Sequence, residues 1–85
     1  MPVDFTRLRA LTAGEIVRAL EADGFHLRKS RGGSHRRYHH PDGRRITVAY
    51  HGSNTTFVPK TLRSMIEEQA QWDEDDLIRL KLLVR

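Results

Sequence analysis

The tripeptide Pro41-Asp42-Gly43 places the tightest constraint on how this chain can fold. Proline presets the first backbone dihedral of a turn, and glycine accepts the positive dihedral of a bulge, so these residues predict a β-hairpin. A three-residue loop would pair His40 with Arg44. That register places Tyr38 opposite Ile46 and determines the pairing of the remaining strand residues.

The predicted register divides the side chains between two faces of a sheet, because successive strand residues point to opposite sides. The expected core face carries Tyr38, Ile46, Val48 and Tyr50. The other face carries His35, Arg37 and His39 beside Arg45, Thr47 and Ala49. A slip of one residue would bury His35 and expose Tyr38, so the apolar pattern argues against it.

Local signals predict helices on both sides of the strands. Thr12 and Glu15 form a capping box, Gly24 supplies a left-handed stop, and Pro59 suits the first position of a second helix. Asp73 caps a final short helix. The predicted elements are a helix over 13–22, strands over 25–30, 34–40 and 44–50, a helix over 59–71 and a C-terminal helix within 73–85. We therefore predict an α+β fold, αβββα, with a three-stranded antiparallel sheet and both main helices on one face.

The size of the chain limits its organisation. Eighty-five residues with 38% hydrophobic composition predict one domain over 1–85, with residues 1–11 as an N-terminal extension. The absence of cysteine excludes disulfides and cysteine-based zinc sites. No apolar run approaches the roughly 20 residues that span a bilayer, and the N-terminus lacks the apolar core of a signal peptide. We expect a soluble, cytoplasmic protein.

Charge is distributed unevenly along the chain, whose net charge is +4. Residues 28–45 contain seven Lys or Arg and one acid, whereas residues 67–76 contain six acids and no Lys or Arg. A stripe of one sign on a small domain is typical of proteins that bind polyanions. The alternative interpretation is a solubilising surface. The density of positive charge favours a surface that binds nucleic acid.

The segment Gly32-Gly33-Ser34-His35-Arg36-Arg37-Tyr38 places one imidazole among guanidiniums. Imidazole can accept and donate protons near neutral pH, and arginine binds phosphate in a planar fork. The segment therefore predicts a site that could act on a phosphodiester.

Three motifs, in this order, resemble those of the HicA toxin family. They are Gly33-Ser34-His35-x-x-Tyr38, His40-Pro41-Asp42-Gly43-Arg44 and Thr61-Leu62-Arg63-Ser64-x-Ile66. The resemblance covers roughly residues 12–80, and the element order is similar to the double-stranded-RNA-binding-domain fold. It implies the toxin of a type II toxin–antitoxin pair, an endoribonuclease that cleaves mRNA and is neutralised by a HicB antitoxin.

The resemblance places the catalytic histidine at His35. We expect neutral His35 to remove the proton of a ribose 2′-hydroxyl, without a metal ion or cofactor, while nearby cations stabilise the phosphoryl oxygens. Arg37 and Arg45 are expected to flank it. The residues expected to bind RNA are Lys29, Arg31, Gly33, Ser34, Arg37, Arg45 and Lys60.

Two positions depart from the family pattern. Lys60 stands where the family commonly has glycine, and Gly32 replaces a basic residue often found just before the Gly-Ser-His motif, with Arg31 one position earlier. Neither departure affects the histidine. Because Lys60 stands in place of this glycine, the resemblance does not determine which contacts the preceding loop makes with RNA or antitoxin.

Several alternatives remain at this stage. His39 shares the face of His35, at an expected separation of one pleat repeat, about 6.5–7 Å. That separation would suit a second proton-transfer group, but we favour an ordinary surface histidine. Adjacent His39 and His40 point to opposite faces, so we reject a metal site.

The competing function is a double-stranded-RNA-binding module that never cuts, which would tolerate loss of His35. A DNA-binding partner of a repressor would need a recognition helix, and none is evident.

Overall fold

The computed structural model describes residues 10–30 and 35–83, with the backbone alone at residues 29 and 30. Its elements are α1 (Ala13–Asp23), β1 (His26–Ser30), β2 (His35–His39), β3 (Arg45–Ala49), α2 (Pro59–Arg63), a π-helical segment (Ser64–Gln69) and α3 (Glu74–Arg79). The order confirms the predicted α+β architecture. No helix in the described ranges is long and apolar enough to cross a membrane.

The first helix begins and ends where its capping residues predict. The Thr12 hydroxyl accepts a hydrogen bond from the Glu15 amide at 3.2 Å, and the Glu15 carboxylate accepts one from the Thr12 amide at 3.0 Å. Gly24 ends the helix with φ of +101°. A side chain there would be strained and would also meet the His40 ring at 3.0 Å.

The hairpin between β2 and β3 has the predicted register. The His40 amide donates to the Arg44 carbonyl at 2.9 Å, and Gly43 adopts φ of +101°. Tyr38 pairs with Ile46, and both are buried. The predicted division of side chains between two sheet faces is therefore confirmed.

The first strand contains an irregularity that the alternation of its residues does not predict. β1 pairs with β2, and its register shifts between Leu27, opposite Tyr38, and Lys29, opposite Arg37. Arg28 is the extra residue of this β-bulge. The bulge sets two basic residues of β1 against one residue of β2, because Arg28 and Lys29 together oppose Arg37.

The helices cover one face of the sheet. Tyr38, Ile46 and Val48 are buried in one apolar cluster with residues of α1, the π-helical segment and the C-terminal region. Those partners include Ile16, Leu20, Met65, Ile66, Leu77, Leu80 and Leu83. Trp72 is also buried in this cluster.

The second helix departs from the regular α-helix expected over 59–71. After Arg63 the helix widens into a π-helical segment, in which the Ala70 amide donates to the Met65 carbonyl at 2.9 Å. Each π turn contains one more residue than an α turn. The widened turn buries Met65, Ile66 and Ala70 while the Gln69 side chain accepts the Thr47 amide of β3 at 3.0 Å.

The hairpin end of the domain is joined to the helices through Asp23. Its carboxylate accepts hydrogen bonds from the Trp72 indole and the Arg79 guanidinium, both at 2.9 Å, and pairs with Arg44 at 3.2 Å. Its carbonyl lies 2.8 Å from His40 Nε2. Burial alone would raise the pKa of Asp23, but the hydrogen bonds from Trp72 and Arg79 and the charges of both arginines lower it.

The opposite end of the domain is closed by the loop over 51–58. The Ala13 amide donates to the Thr55 carbonyl at 2.7 Å, and the Gly14 amide to the Ser53 carbonyl at 3.0 Å. The loop follows β3 directly, so this end is where β2 begins. The N-terminus of α1 therefore lies at the end of the sheet that carries His35.

Replacing Asp23 with asparagine should lower the free energy of unfolding by about 2 to 3 kcal/mol at pH 7, because the ion pairs with two guanidiniums are lost. Because the pKa of Asp23 is lowered in the folded state, its contribution is present above the unfolded value of about 3.9 and lost as the pH falls through the folded value. Urea denaturation should therefore show the difference shrinking below about pH 4. The exposed Glu21→Gln on the same helix should stay within about 0.5 kcal/mol of the unchanged protein. Equal losses in both variants would contradict the assigned role of Asp23.

Candidate functional site

The sheet face turned away from the helices is rich in positive charge. We call it the open face; on β2 and β3 it carries His35, Arg37, His39, Arg45, Thr47 and Ala49. The three strands contain five Lys or Arg, three His and no acidic residue. Such a surface attracts polyanions.

His35 is the first residue of β2, and its side chain is exposed. Across the ladder it pairs with Ala49 of β3, whose methyl group leaves space above the sheet. No charged residue of β3 therefore lies directly opposite His35. The imidazole is therefore accessible to a ligand lying on the open face.

Arg37 is the described cation of β2 closest to His35 on the open face. It lies two residues further along the strand, a separation of about 6.5–7 Å. The bulge in β1 brings the backbone of Lys29 opposite Arg37. The expected grouping of His35 with Arg37 is therefore compatible with the register, and Lys29 occupies the diagonal position.

The expectation that Arg45 flanks His35 is wrong. His39 lies four residues from His35 along β2, a separation of about 13 Å. Arg45 pairs with His39 on the neighbouring strand, so it is about 14 Å from His35. His39 is thus two pleat repeats away rather than one, and the spacing expected of a second proton-transfer group is not met.

A second basic cluster surrounds His39 instead. Arg37, His39, Arg45 and Thr47 line a depression of about 210 Å³ on the open face. Partial burial, followed by the charges of Arg28, Arg45 and Arg37, lowers the pKa of His39 from its usual value. In the described ranges the imidazole faces cations and pairs with no carboxylate.

The arginines of this region have two different roles. Arg36 points to the helix side and stacks over the Tyr50 ring at 3.8 Å, and Arg44 pairs with Asp42 at 2.7 Å as well as with Asp23. By contrast, Arg28, Arg37 and Arg45 form no ion pair with a carboxylate in the described ranges. These three guanidiniums are available to a ligand.

The other residues expected to bind RNA are not all on this face. Lys60 is exposed on α2, in the helix layer, and so does not belong to the open face. Its helix begins at the end of the domain that carries His35. Arg31, Gly33 and Ser34 lie outside the described residues, as does the turn that contains them.

The described residues include no group of three or more histidine or acidic side chains that could hold a metal ion. Asp42, in the turn between β2 and β3, is engaged by Arg44 and by His40, whose Nδ1 lies 2.9 Å from its carboxylate. The hydrogen bonds to Arg44 are the main cause that lowers its pKa.

Sequence reasoning missed two features of the site. The first is the contribution of Arg28, which the bulge turns into a neighbour of the His39 cluster. The basic composition of residues 28–45 indicated that Arg28 contributes positive charge, but it did not indicate where Arg28 lies in the sheet. The second is the separation of His35 and Arg45, which four-residue spacing along one strand could have revealed.

The comparisons with known proteins agree with this architecture. A family model described as the HicA toxin of bacterial toxin–antitoxin systems matches residues 13–72. The match extends from the first residue of α1 to Trp72 and so includes the whole sheet and the π-helical segment. No curated protein matches the chain significantly.

Proposed function

The chain belongs to the HicA toxin family, and from this premise we propose that it is a metal-independent endoribonuclease that cleaves mRNA in the cytoplasm. The observation that supports the activity is an exposed histidine, His35, on a sheet face whose strands contain five cations and no carboxylate. A phosphodiester can approach such a face without charge repulsion. The imidazole lies there with no competing ion pair among the described side chains.

In the proposed reaction, neutral His35 accepts the proton of a ribose 2′-hydroxyl. The 2′-oxygen then forms a bond to the adjacent phosphorus as the bond from phosphorus to the 5′-oxygen breaks. The leaving oxygen takes a proton from water, and the hydroxide so formed takes the proton from His35, which returns the imidazole to its neutral form. The products are a 2′,3′-cyclic phosphate and a 5′-hydroxyl, and no electron transfer is required.

Negative charge that develops on the phosphoryl oxygens needs fixed cations. Arg37, one pleat repeat from His35, and Lys29, opposite Arg37 in the ladder, are the proposed donors. Stabilisation of this kind is often the largest single contribution to catalysis. Arg31, Gly33, Ser34 and Lys60 are proposed to contact RNA at the same end of the domain.

His35→Ala should lower the rate of RNA cleavage by at least about 100-fold, because general base catalysis contributes a factor of about 10² to 10⁴. Cleavage of a labelled single-stranded RNA in excess EDTA measures this. The unchanged protein should cut under those conditions. Arg18→Gln, an exposed residue of α1 outside the open face, is the control and should remain within about threefold.

Two checks make the result specific. Since the His35 side chain is exposed, the variant should unfold within about 0.5 kcal/mol of the unchanged protein and should still bind RNA. Undiminished cleavage by His35→Ala would refute the general base. Binding without cleavage by the unchanged protein would favour a double-stranded-RNA-binding module instead.

The partner proposed for this toxin is a HicB-like antitoxin that covers the open face. Three guanidiniums without a carboxylate partner among the described residues would pair favourably with acidic side chains of another protein. Such an antitoxin would exclude RNA by occupying the same surface. Association of oppositely charged faces is fast and slows as salt rises.

Hydrogen exchange on the complex should therefore show added protection within residues 35–49, which contain β2 and β3. The acidic residues within 67–76 lie on the π-helical segment and at the N-cap and first turn of α3, and they serve as the internal control. Protection confined to 67–83, with the strands unchanged, would indicate an antitoxin that acts from the helix side.

A further inference from the structure

We propose that the cations around His39 form a second phosphate-binding subsite, which holds single-stranded RNA at a distance from the bond that His35 cleaves. The inference deepens the proposed function and depends on RNA being the ligand of the open face. It assigns a role to Arg45, which lies opposite His39 at the far end of the sheet from His35, and to Arg28, which lines a depression beside His39.

The subsite is built from all three strands. His39, in the central strand, pairs with His26 of β1 on one side and with Arg45 of β3 on the other. Two shallow depressions meet at its ring. One, of about 210 Å³, includes Arg37, Arg45 and Thr47, and the other, of about 320 Å³, includes His26 and Arg28.

The charges at this position are uncompensated within the described part of the chain. Arg28, Arg37 and Arg45 are exposed, and none pairs with a carboxylate there. The Thr47 hydroxyl adds a neutral donor on the same face. Two guanidiniums and a hydroxyl around the first depression, with the third guanidinium in the adjoining one, suit a phosphate group, which arginine binds through paired hydrogen bonds.

The pKa of His39 depends on the positive charges that surround the subsite. The groups facing it are His26 and Arg28 from β1, Arg37 from its own strand and Arg45 from β3. Their charges, after partial burial, lower the pKa of His39. A bound phosphate would offset those charges and stabilise the imidazolium, so the pKa should rise when RNA binds.

The distance between the two positions determines which RNA can use both. His35 and His39 are about 13 Å apart along β2, which equals about four nucleotides at the roughly 3.4 Å rise of a stacked strand and fewer in an extended one. A dinucleotide has one phosphate, which is the one that His35 would act on, so when bound there it does not reach the subsite around His39. The enzyme should therefore favour single strands of at least about three to five nucleotides.

The test compares binding of two uncleavable probes, a 2′-O-methyl RNA hexanucleotide and a 2′-O-methyl dinucleotide. The double variant Arg28→Gln/Arg45→Gln should bind the hexanucleotide more weakly, with a salt slope smaller by about 0.7, the value for one phosphate that is no longer neutralised. Dinucleotide binding should be unchanged. Arg18→Gln, an exposed arginine on α1, is the control and should alter neither.

A second measurement follows the His39 ring by NMR. Its pKa should rise when the hexanucleotide binds and stay the same with the dinucleotide. Equal weakening of both probes would overturn the proposal, since it would mean one shared site. Unchanged hexanucleotide binding, or a loss of affinity for the antitoxin alone, would also overturn it. Both readouts measure binding, so they remain informative even if His35→Ala shows that the cleavage mechanism is wrong.

Discussion

The pairing of β2 with β3 decides which side chains of this protein meet solvent. The loop closed by Gly43 pairs Tyr38 with Ile46, and every other residue of both strands follows by alternation. With this pairing, Tyr38 lies in the core and His35 lies on the open face. A slip of one residue would exchange these positions, so the hairpin determines both the core and the candidate site.

Stability and the proposed activity use different charged groups. Arg44 and Arg79 converge on Asp23, which joins α1 to the hairpin and α3 on the helix side. Arg28, Arg37 and Arg45 remain without a carboxylate partner in the described ranges. Like charges on one face repel, and the proposed compensation is RNA or the antitoxin. The burial of the apolar cluster under the sheet offsets the unfavourable free energy of this charge repulsion.

Sequence patterns predicted the features that depend on neighbouring residues. The caps at Thr12 and Gly24 and the register at the hairpin are local, and the structure confirms them. The bulge at Arg28 and the π-helical segment were missed, since both adjust the chain to packing against distant elements. The ion pairs of Asp23 join residues far apart in sequence. Alternation assigned Arg45 to the correct face but not to the correct distance from His35, because a shared face does not imply proximity.

The central claim is that His35 removes a proton from the ribose of the RNA rather than from water. Mass spectrometry of the termini made by the purified protein tests this most directly, because the two chemistries leave different ends. Attack by the 2′-hydroxyl leaves a 2′,3′-cyclic phosphate on one fragment and a 5′-hydroxyl on the other, and these are the expected ends. A 3′-hydroxyl with a 5′-phosphate would contradict it, since those ends require an activated water and leave the 2′-hydroxyl unused.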